Sequence, residues 1–253
     1  MTDPTTPAIA VTDLQLQIGG ARIIDGVSLR VAPGEMLGVI GPNGAGKTTL
    51  FNLMSGVSLP TGGTVHLDGR DVTSAPVHQR ARLGLGRTFQ TSSLFPALSA
   101  LENVRLAAQT RLGRALSVVA FPSARDAAST DARERLDEVG LSHHADTEAG
   151  VLSHGDKRKL EIAMLLAGEP SVILLDEPMA GVASGDVRGL TEVIRSVHRS
   201  GRTVLMVEHH MDVVLGLVDR VAVMHHGKLL AIGEPAEVVA NPAVQAAYLG
   251  ESL

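Results

Sequence analysis

The feature that most constrains this sequence is the octapeptide Gly-Pro-Asn-Gly-Ala-Gly-Lys-Thr at residues 41–48. It fits the pattern G-x-x-x-x-G-K-[ST]. A nearly continuous apolar run, Met36 to Ile40, precedes it, and a helix-compatible segment, Thr49 to Ser55, follows it. Apolar runs of this kind are typical of strands buried on both faces of a parallel sheet. The order of strand, glycine-rich loop and helix predicts a loop that wraps a phosphate group with its backbone N–H groups.

The loop residues have distinct expected roles. Its glycines allow the backbone to approach a phosphate closely, the Lys47 ammonium would contact the β- and γ-phosphates, and the Thr48 hydroxyl would ligate Mg²⁺. The expected nucleotide contacts are Asn43, Gly44, Ala45, Gly46, Lys47, Thr48 and Thr49. The alternative interpretation is an ordinary glycine-rich turn followed by Lys-Thr by chance. It is disfavoured because such a turn would lack the flanking strand and helix.

A second apolar run, Val172 to Leu175, ends in the acidic pair Asp176-Glu177. Alone, an acidic pair at this place is typical of a solvated strand end. Beside a phosphate loop it predicts that Asp176 holds Mg²⁺ and that Glu177 orients or deprotonates an attacking water. The chemistry indicated is phosphoryl transfer to water.

The pattern of apolar residues in the rest of the chain predicts an α/β core with a helical insert, antiparallel strands and short C-terminal helices. Apolar runs alternate with helical stretches such as 187–198, which favours a parallel sheet with crossover helices. Residues 91–167 have helical composition and no strand pattern, so they predict a helical insert. Half-exposed antiparallel strands are predicted where apolar residues alternate with polar or small ones, at 14–18, 27–31 and 65–67. Residues 221–232 predict a hairpin with Gly227 in its turn, and 235–249 one or two short helices.

Composition excludes several classes of function. Aromatic residues make up 2% of the 253, so the core must be aliphatic, and the absence of cysteine excludes disulfides and thiolate metal sites. A net charge of -5 without a basic run argues against a dedicated nucleic-acid binder. The apolar runs, such as 116–121, are shorter than the ~20 residues that span a bilayer, and the N-terminus lacks a signal-peptide pattern. If the protein serves transport, another chain must supply the path.

Residues 152–156, Leu-Ser-His-Gly-Asp, precede the Asp176 strand. With this segment the chain resembles the ABC-type ATPases over nearly its whole length, and the segment is similar to their signature motif. The resemblance implies an α/β P-loop NTPase core of ABC ATPase type with an antiparallel β subdomain and a helical subdomain insert. It implies one domain over 1–253, divided into the core with its antiparallel subdomain (1–89 and 168–235), the helical signature subdomain (90–167) and a C-terminal helical tail (236–253).

The resemblance implies further site residues. Gln90, in Arg-Thr-Phe-Gln, matches the glutamine that reaches Mg²⁺ and water, and His209 matches the histidine that contacts the γ-phosphate. Ser153 and Gly155 match signature residues that close over the ATP of a second subunit packed head to tail. A dimer with two shared sites is therefore expected.

The chain departs from the family pattern at two places. Ile18 stands where many relatives stack an aromatic ring on adenine, with Ile24 as a second aliphatic face, and this predicts weak discrimination between ATP and GTP. In the signature segment, His154 replaces the usual glycine and Asp156 the usual glutamine. Because a carboxylate repels phosphate, Asp156 is expected to point aside.

Within the family the chain is most similar to the ATPases of importers for branched-chain and other hydrophobic amino acids. The motifs that carry this similarity are Gly-Pro-Asn-Gly-Ala-Gly-Lys, Arg-Thr-Phe-Gln, Ser-His-Gly-Asp, Glu-His at 208–209 and the ending Asn-Pro to Gly-Glu at 241–251. The similarity implies a peripheral protein on the cytoplasmic face of the cell membrane. The implied partners are integral-membrane permease subunits, a second ATPase subunit (identical or related) and, indirectly, an external substrate-binding protein.

Other functions stay open on the sequence. The alternatives to an importer of hydrophobic amino acids are an importer of urea or amides and an exporter of lipopolysaccharide or lipid. A soluble ABC ATPase that acts on ribosomes or DNA is disfavoured, because the chain has one ATPase unit and no sustained heptad pattern. The apolar residues Leu94, Phe95, Pro96 and Leu98 either receive a helix from a permease subunit or pack inside the insert.

Overall fold

The computed structural model describes residues 6–88, 94–111, 126–209 and 211–249, except for the side chains of residues 212 and 249. Internal contacts divide the chain into two compact units. The first contains the described residues up to Arg87, Ser171–Pro178 and those from His198 onward. The second contains the described residues of Thr88–Pro170 and Met179–Val197.

The strands and helices of the described residues follow one another along the chain. The strands are β1 (Ile9–Ile18), β2 (Ala21–Val31), β3 (Met36–Ile40), β4 (Gly62–Leu67), β5 (Arg70–Asp71), β6 (Leu85–Arg87), β7 (Val172–Asp176), β8 (Thr203–Val207), β9 (Arg220–His225) and β10 (Lys228–Gly233). The helices are α1 (Lys47–Ser55), α2 (Val77–Arg82), α3 (Ala100–Arg111), α4 (Ala127–Glu138), α5 (His154–Leu166), α6 (Ser184–Arg199), α7 (Met211–Leu215), α8 (Pro235–Val239) and α9 (Pro242–Leu249).

An antiparallel sheet in the first unit has the order β2-β1-β4-β5. Leu14 and Leu16 of β1 are buried, whereas Gln15 and Gln17 between and after them are exposed. A bulge at Asp13, with φ 47°, shifts the pairing register and turns Leu14 towards the core. The predicted half-exposed antiparallel strands are confirmed.

The second sheet of the same unit has the order β10-β9-β3-β8-β7-β6. Neighbours from β9 to β6 are parallel, and β10 pairs antiparallel with β9. Every residue of β3, β7 and β8 is buried, as their continuous apolar sequences predict. Because the carboxyl ends of parallel strands meet at one edge of a sheet, the segments after β3, β7 and β8 lie together there.

One apolar cluster joins the two sheets of the first unit. Helix α1 contributes Leu50, Phe51, Leu53 and Met54, each with no exposed surface. Side chains of β1, β2 and β4 and of β3, β7 and β8 complete the cluster, which is largely aliphatic. Each fully buried side chain of this size contributes about 1.5–3 kcal/mol to folding, so α1 is fixed firmly between the sheets.

A buried arginine closes the carboxyl end of α1. Arg80 of α2 has no exposed surface and donates to the carbonyl oxygens of Leu53 and Met54 at 2.7 and 2.8 Å. It also donates to those of Thr73 and Ala75. Burial lowers the pKa of Arg80, which a coulombic interaction with Asp71 partly offsets. The guanidinium thus donates to carbonyl groups in the last turn of α1, where the Leu53 carbonyl also accepts from the Gly56 N–H at 3.4 Å.

The second unit is helical in its described part. α3 packs against α4 and α5, and both α4 and α5 carry N-cap side chains, Asp126 and Ser153, that accept a hydrogen bond from a backbone N–H group. Besides helices, the described residues of 94–167 contain two 3₁₀ turns, Ser142–His144 and Ala149–Val151, and an isolated bridge between Ser99 and Glu148. Most of α6, which the sequence assigned to the core, groups with this unit by its contacts. The subdomain boundaries 90–167, 168–235 and 236–253 stay a prediction.

The predicted hairpin and terminal helices are present. β9 and β10 pair around a turn in which His226 and Gly227 have φ values of 46° and 75°. Helices α8 and α9 follow, and both contact β10. No helix in the described part of the chain is long and apolar enough to cross a membrane.

Candidate active site

The phosphate loop leads from the buried end of β3 into α1. Gly41 follows Ile40 with φ 149°, and a Cβ there would lie 2.1 Å from the carbonyl oxygen of Met224 in β9. Gly46, with φ 100°, would place a Cβ 2.9 Å from Cδ1 of Ile24 in β2. A side chain at either position would displace a packed neighbour, so the close approach of β9 and β2 requires glycine.

Lys47 starts α1 with its ammonium group inside the loop. The residue is 5% exposed, and Nζ donates to the carbonyl oxygens of Gly41 at 2.6 Å and Pro42 at 2.9 Å. Thr48 and Thr49 follow in the first turn and are half-buried. A helix N-terminus with free N–H groups and a fixed cation is a favourable place for a phosphate anion.

The other loop residues differ in exposure. Asn43 and Gly44 are exposed, whereas Ala45 is buried. The Ala45 N–H donates to the Pro42 carbonyl at 3.2 Å, and its carbonyl accepts from the Gly227 N–H at 3.0 Å. A turn within the loop and a contact with the β9–β10 turn thus fix Ala45.

The acidic pair lies at the carboxyl end of β7. Asp176 is 2% exposed, and its Oδ2 accepts a hydrogen bond from Arg87 Nη2 at 2.7 Å. Glu177 has φ 48°, which is uncommon for a residue with a side chain. Its N–H donates to the Val207 carbonyl at 2.9 Å, so β8 stabilises this conformation.

His209 and Glu177 meet at the end of β8. His209 Nε2 lies 2.9 Å from Glu177 Oε1, and the two side chains are 41% and 21% exposed. The His209 N–H donates to Oε2 of Glu208, which is itself 2% exposed. A partly exposed carboxylate oriented by an imidazole is an arrangement suited to general-base chemistry on water.

The two aliphatic residues predicted to cover the base differ sharply. Ile18 is 61% exposed at the end of β1. Ile24 is 1% exposed and packs in the core, where its Cδ1 faces Gly46. Ile24 therefore offers no surface to a base; it supports the phosphate loop from within.

The predicted signature residues lie at the start of α5 in the second unit. Ser153 is the N-cap, and its Oγ accepts from the Asp156 N–H at 3.1 Å and donates to Asp156 Oδ2 at 3.0 Å. The Asp156 carboxylate therefore contacts Ser153, whereas the sequence predicted that it points aside. Lys159 Nζ donates to its other oxygen at 3.0 Å and helps to hold it there. Gly155 is buried, and a Cβ there would lie 2.7 Å from Cβ of Asp186.

Gln90 lies outside the described residues, so its predicted place in the site stays a prediction. Leu94, Phe95, Pro96 and Leu98 are described, and Phe95 is 53% exposed. Leu94 and Pro96 line an open cleft of about 470 Å³ in the second unit, together with side chains of α5 that include Lys157 and Arg158.

Comparison with known proteins decides the family. A family model described as ABC transporter matches residues 24–180, which include the phosphate loop, the segment 152–156 and the acidic pair. The chain belongs to the ABC transporter family. It is an ABC ATPase, and members of this family bind and hydrolyse nucleotide. A second model, described as branched-chain amino acid ATP-binding cassette transporter, matches residues 228–253.

Relatives of this ABC ATPase include transport proteins of two kinds. The high-affinity branched-chain amino acid transport ATP-binding protein LivG of Escherichia coli K12 is 39% identical over 253 residues, covering 97% of this chain and 99% of LivG. The corresponding BraF of Pseudomonas aeruginosa is 39% identical over 255 residues, with the same coverage. The lipopolysaccharide export system ATP-binding protein LptB of Acidithiobacillus ferridurans is 38% identical over 229 residues, covering 90% of this chain and 91% of LptB.

Solved structures share the fold of this ABC ATPase. The ADP conformation of an ATP-binding cassette of an ABC transporter superposes with a TM-score of 0.86 at 30% identity, covering 98% of this chain and 100% of that one. A nucleotide-free cassette gives a TM-score of 0.84 at 30% identity, covering 97% and 100%. The predicted fold class is confirmed.

Two residues near the acidic pair had no predicted role. Arg87 and Glu208 entered the sequence analysis only as parts of family motifs, yet both are largely buried charges that contact Asp176 and His209. The sequence feature that could have indicated a buried role for Arg87 is its position at the end of a short apolar segment. For Glu208 it is the position of a carboxylate directly after the buried strand β8.

Proposed function

We propose that this chain is the ATP-hydrolysing subunit of an importer for branched-chain or other hydrophobic amino acids. The contact between His209 Nε2 and Glu177 Oε1 carries the hydrolytic part of the proposal, because it orients a carboxylate at the sheet edge that also bears the phosphate loop. The match of residues 228–253 to a branched-chain amino acid transporter model supports the class of cargo.

The phosphate loop would bind the triphosphate of ATP. Backbone N–H groups from Asn43 to Thr49 would surround the phosphates, and Lys47 would exchange one of its carbonyl partners for a phosphate oxygen. Such an exchange costs little, because one charge-assisted hydrogen bond replaces another. Ile18 would cover one face of the base through its exposed aliphatic side chain.

The residues present fit a magnesium ion held jointly with the nucleotide. Mg²⁺ prefers oxygen ligands and is bound through a few protein groups plus substrate phosphates. Thr48 would supply a hydroxyl and Asp176 a carboxylate at the strand end; Gln90, outside the described residues, would add an amide oxygen. When bound, the ion would neutralise charge on the phosphates.

Glu177 would act as the general base and His209 as its orienting partner. Glu177 accepts a proton from the attacking water through a carboxylate oxygen, while His209 holds the other side of the carboxylate group and faces the γ-phosphate. Glu177 has a left-handed backbone, and its side chain contacts His209.

The dimer would assemble from two ATPase subunits packed head to tail, either two copies of this chain or this chain and a related one. Ser153 and Gly155 would close over the ATP bound to the partner. Gly155 has no space for a side chain, and Ser153 offers a hydroxyl at a helix N-terminus. To bind phosphate, that hydroxyl must release its bond to the Asp156 carboxylate.

The membrane partner would dock on the apolar segment that follows Gln90. Phe95 is largely exposed, and Leu94 and Pro96 line an open cleft of about 470 Å³ beside it that would receive part of a helix. Leu98 is half-buried and supports this segment from below. Docked in this way, the chain would be a peripheral protein bound to permease subunits at the cytoplasmic face of the cell membrane.

Export of lipopolysaccharide or lipid is the second candidate function. It is favoured by the 38% identity to LptB, which is nearly equal to the identity to LivG. An importer of urea or amides would use the same subunit architecture.

The test is to identify what this chain binds in its native cell. A tagged Glu177→Gln variant, extracted in mild detergent with ATP, should retain two multispanning permease subunits, a related ATPase and an external binding protein. The binding protein should in turn bind branched-chain amino acids. Recovery of lipid-export components would establish the second candidate, and recovery of ribosomes or DNA factors without membrane proteins would refute a transport role.

A further inference from the structure

A buried ion pair connects β6 to β7 in the first unit. Arg87 Nη2 donates to Asp176 Oδ2 at 2.7 Å, and the two side chains are 6% and 1% exposed. Arg87 Nη1 donates to the Ser55 hydroxyl at 2.7 Å, and the guanidinium carbon lies 6.0 Å from the centroid of the Phe51 ring. One guanidinium therefore contacts the end of β7 and the last two turns of α1.

The strand register explains why these groups meet. Arg87 pairs with Leu174 in the parallel ladder between β6 and β7. Leu174 and Asp176 are two residues apart on one strand, so their side chains lie on the same face of the sheet. The contacts with Ser55 and Phe51 identify this face as the one covered by α1. The long arginine side chain spans the offset from Leu174 to Asp176.

Stability is a weak reason for such a pair. Moving two charges out of water costs several kcal/mol per ion, and replacing a buried ion pair by packed apolar residues is often neutral or stabilising. The neighbouring positions Leu85 and Leu174 are apolar and buried, so an apolar residue at the end of β6 would suit the core. What an apolar residue would not supply is a directed hydrogen bond to one oxygen of Asp176.

We propose that Arg87 is a positioning residue for the Asp176 carboxylate: it fixes Oδ2 against β6 and α1 and thereby sets the orientation in which Asp176 meets the magnesium ion. This inference rests on the proposed function, in which Asp176 holds Mg²⁺. Ser55 holds the Arg87 guanidinium in place, because its hydroxyl accepts from Arg87 while donating to the Phe51 carbonyl at 2.8 Å. The guanidinium is thus held by α1, the same helix whose first turn carries Thr48.

Two effects of Arg87 on a cation oppose each other. Its positive charge repels a divalent ion, whereas its hydrogen bond removes the rotational freedom of the carboxylate. We expect the orienting effect to be the larger one, because the charge of a guanidinium is delocalised and is here engaged by Asp176 and Ser55. Groups that orient a metal ligand typically change metal affinity by about 10–100-fold when they are removed.

The test measures metal binding without hydrolysis. Mn²⁺ replaces Mg²⁺, a non-hydrolysable ATP analogue replaces ATP, and electron paramagnetic resonance reports bound Mn²⁺. Arg87→Met should weaken Mn²⁺ binding to the nucleotide complex by about 10–100-fold, while affinity for the analogue in EDTA stays at the wild-type value. Arg87→Lys should recover part of the loss, since an ammonium can still donate a hydrogen bond to Asp176 but lacks the two-pronged guanidinium that also reaches Ser55. Arg82→Met, an exposed arginine of α2, is the matched control and should bind Mn²⁺ like the wild type.

The outcomes separate this inference from the proposed function. Unchanged or tighter Mn²⁺ binding by Arg87→Met would overturn the positioning role, as would equal loss of metal-free nucleotide binding, which a merely structural role predicts. If Arg87→Met does not fold, Arg87→Lys and Ser55→Ala carry the same test, and wild-type Mn²⁺ affinity in both would overturn it. A wild-type chain that binds the analogue with no added affinity from Mn²⁺ would instead refute the magnesium site itself.

Discussion

At the scale of single residues, the site depends on side chains held by their neighbours. Glu177 occupies a left-handed backbone conformation that costs energy for a non-glycine residue, and the Val207 carbonyl and His209 ring stabilise it. Such strain is typical of a site where the direction of one side chain matters more than local stability. Sequence motifs identified both residues, but not their contact, because it depends on the adjacency of β7 and β8.

The exposed Ile18 gives a prediction about nucleotide affinity. The wild-type chain should hydrolyse ATP and GTP at comparable rates, since an aliphatic side chain offers little base discrimination. Ile18→Tyr should tighten ATP binding by about 1–3 kcal/mol, the range for stacking a base on an aromatic ring. Leu59→Tyr, at another exposed aliphatic residue of the same unit, is the control in a fluorescent nucleotide titration. Equal affinity of Ile18→Tyr and wild type would remove Ile18 from the base site.

Asp156 gives a prediction about pH. Burial alone would raise its pKa, but hydrogen bonds from Lys159 and Ser153 outweigh burial and hold the pKa below the ordinary value. A carboxyl group with a lowered folded-state pKa stabilises the fold above its unfolded pKa of about 3.9. That stabilisation is lost as the pH falls through the lower folded-state value.

The Asp156→Asn variant measures this contribution. Its melting temperature should lie below that of the wild type near neutral pH, and the difference should shrink as the pH falls below about 4. Asp146→Asn, at a carboxylate of the same unit for which the structure gives no ion pair, is the comparison. A difference that is constant from neutral to acidic pH would show that the carboxylate charge does not stabilise α5.

At the scale of elements, helix α1 is secured at both ends. The phosphate loop and Lys47 define its start, and Arg80 satisfies the carbonyl groups of Leu53 and Met54 at its end. Arg80→Met should destabilise the protein by about 2–4 kcal/mol, because it removes four hydrogen bonds to carbonyl oxygens, two of them fully buried. Urea unfolding would measure the change. Arg82→Met, at an exposed position of α2, the helix that also carries Arg80, should stay within about 0.5 kcal/mol of the wild type. An equally mild effect of Arg80→Met would contradict the capping role.

Some elements were evident from the sequence and others were not. The continuous apolar runs of β3, β7 and β8 predicted buried parallel strands, and the structure confirms them. β6 was not predicted, because three residues with a central glycine carry no periodic signal and the strand exists only through its pairing with β7. The burial of Arg80 was equally hidden, since its partners are backbone carbonyls of a distant helix rather than an acidic side chain.

At the scale of the whole molecule, the sequence predicted candidate site residues but not the packing around them. The glycine loop, the acidic pair and His209 all follow buried parallel strands, so they lie at one edge of the sheet. The burial of Ile24 and the ion pair of Arg87 with Asp176 could not be predicted, because both depend on sheet order and packing. Substrate class is likewise not encoded in the site; the similarity of residues 228–253 to a branched-chain amino acid transporter model and of the chain to LivG and BraF indicates it.

The central claim is that this chain hydrolyses ATP with Glu177 as the base. The most direct measurement is phosphate release from MgATP by wild-type protein and by Glu177→Gln, at ATP concentrations that saturate both. The account predicts that Glu177→Gln binds ATP as tightly as the wild type, turns it over at least about 100-fold more slowly and accumulates as an ATP-bound dimer. Equal turnover by the two proteins would contradict the account.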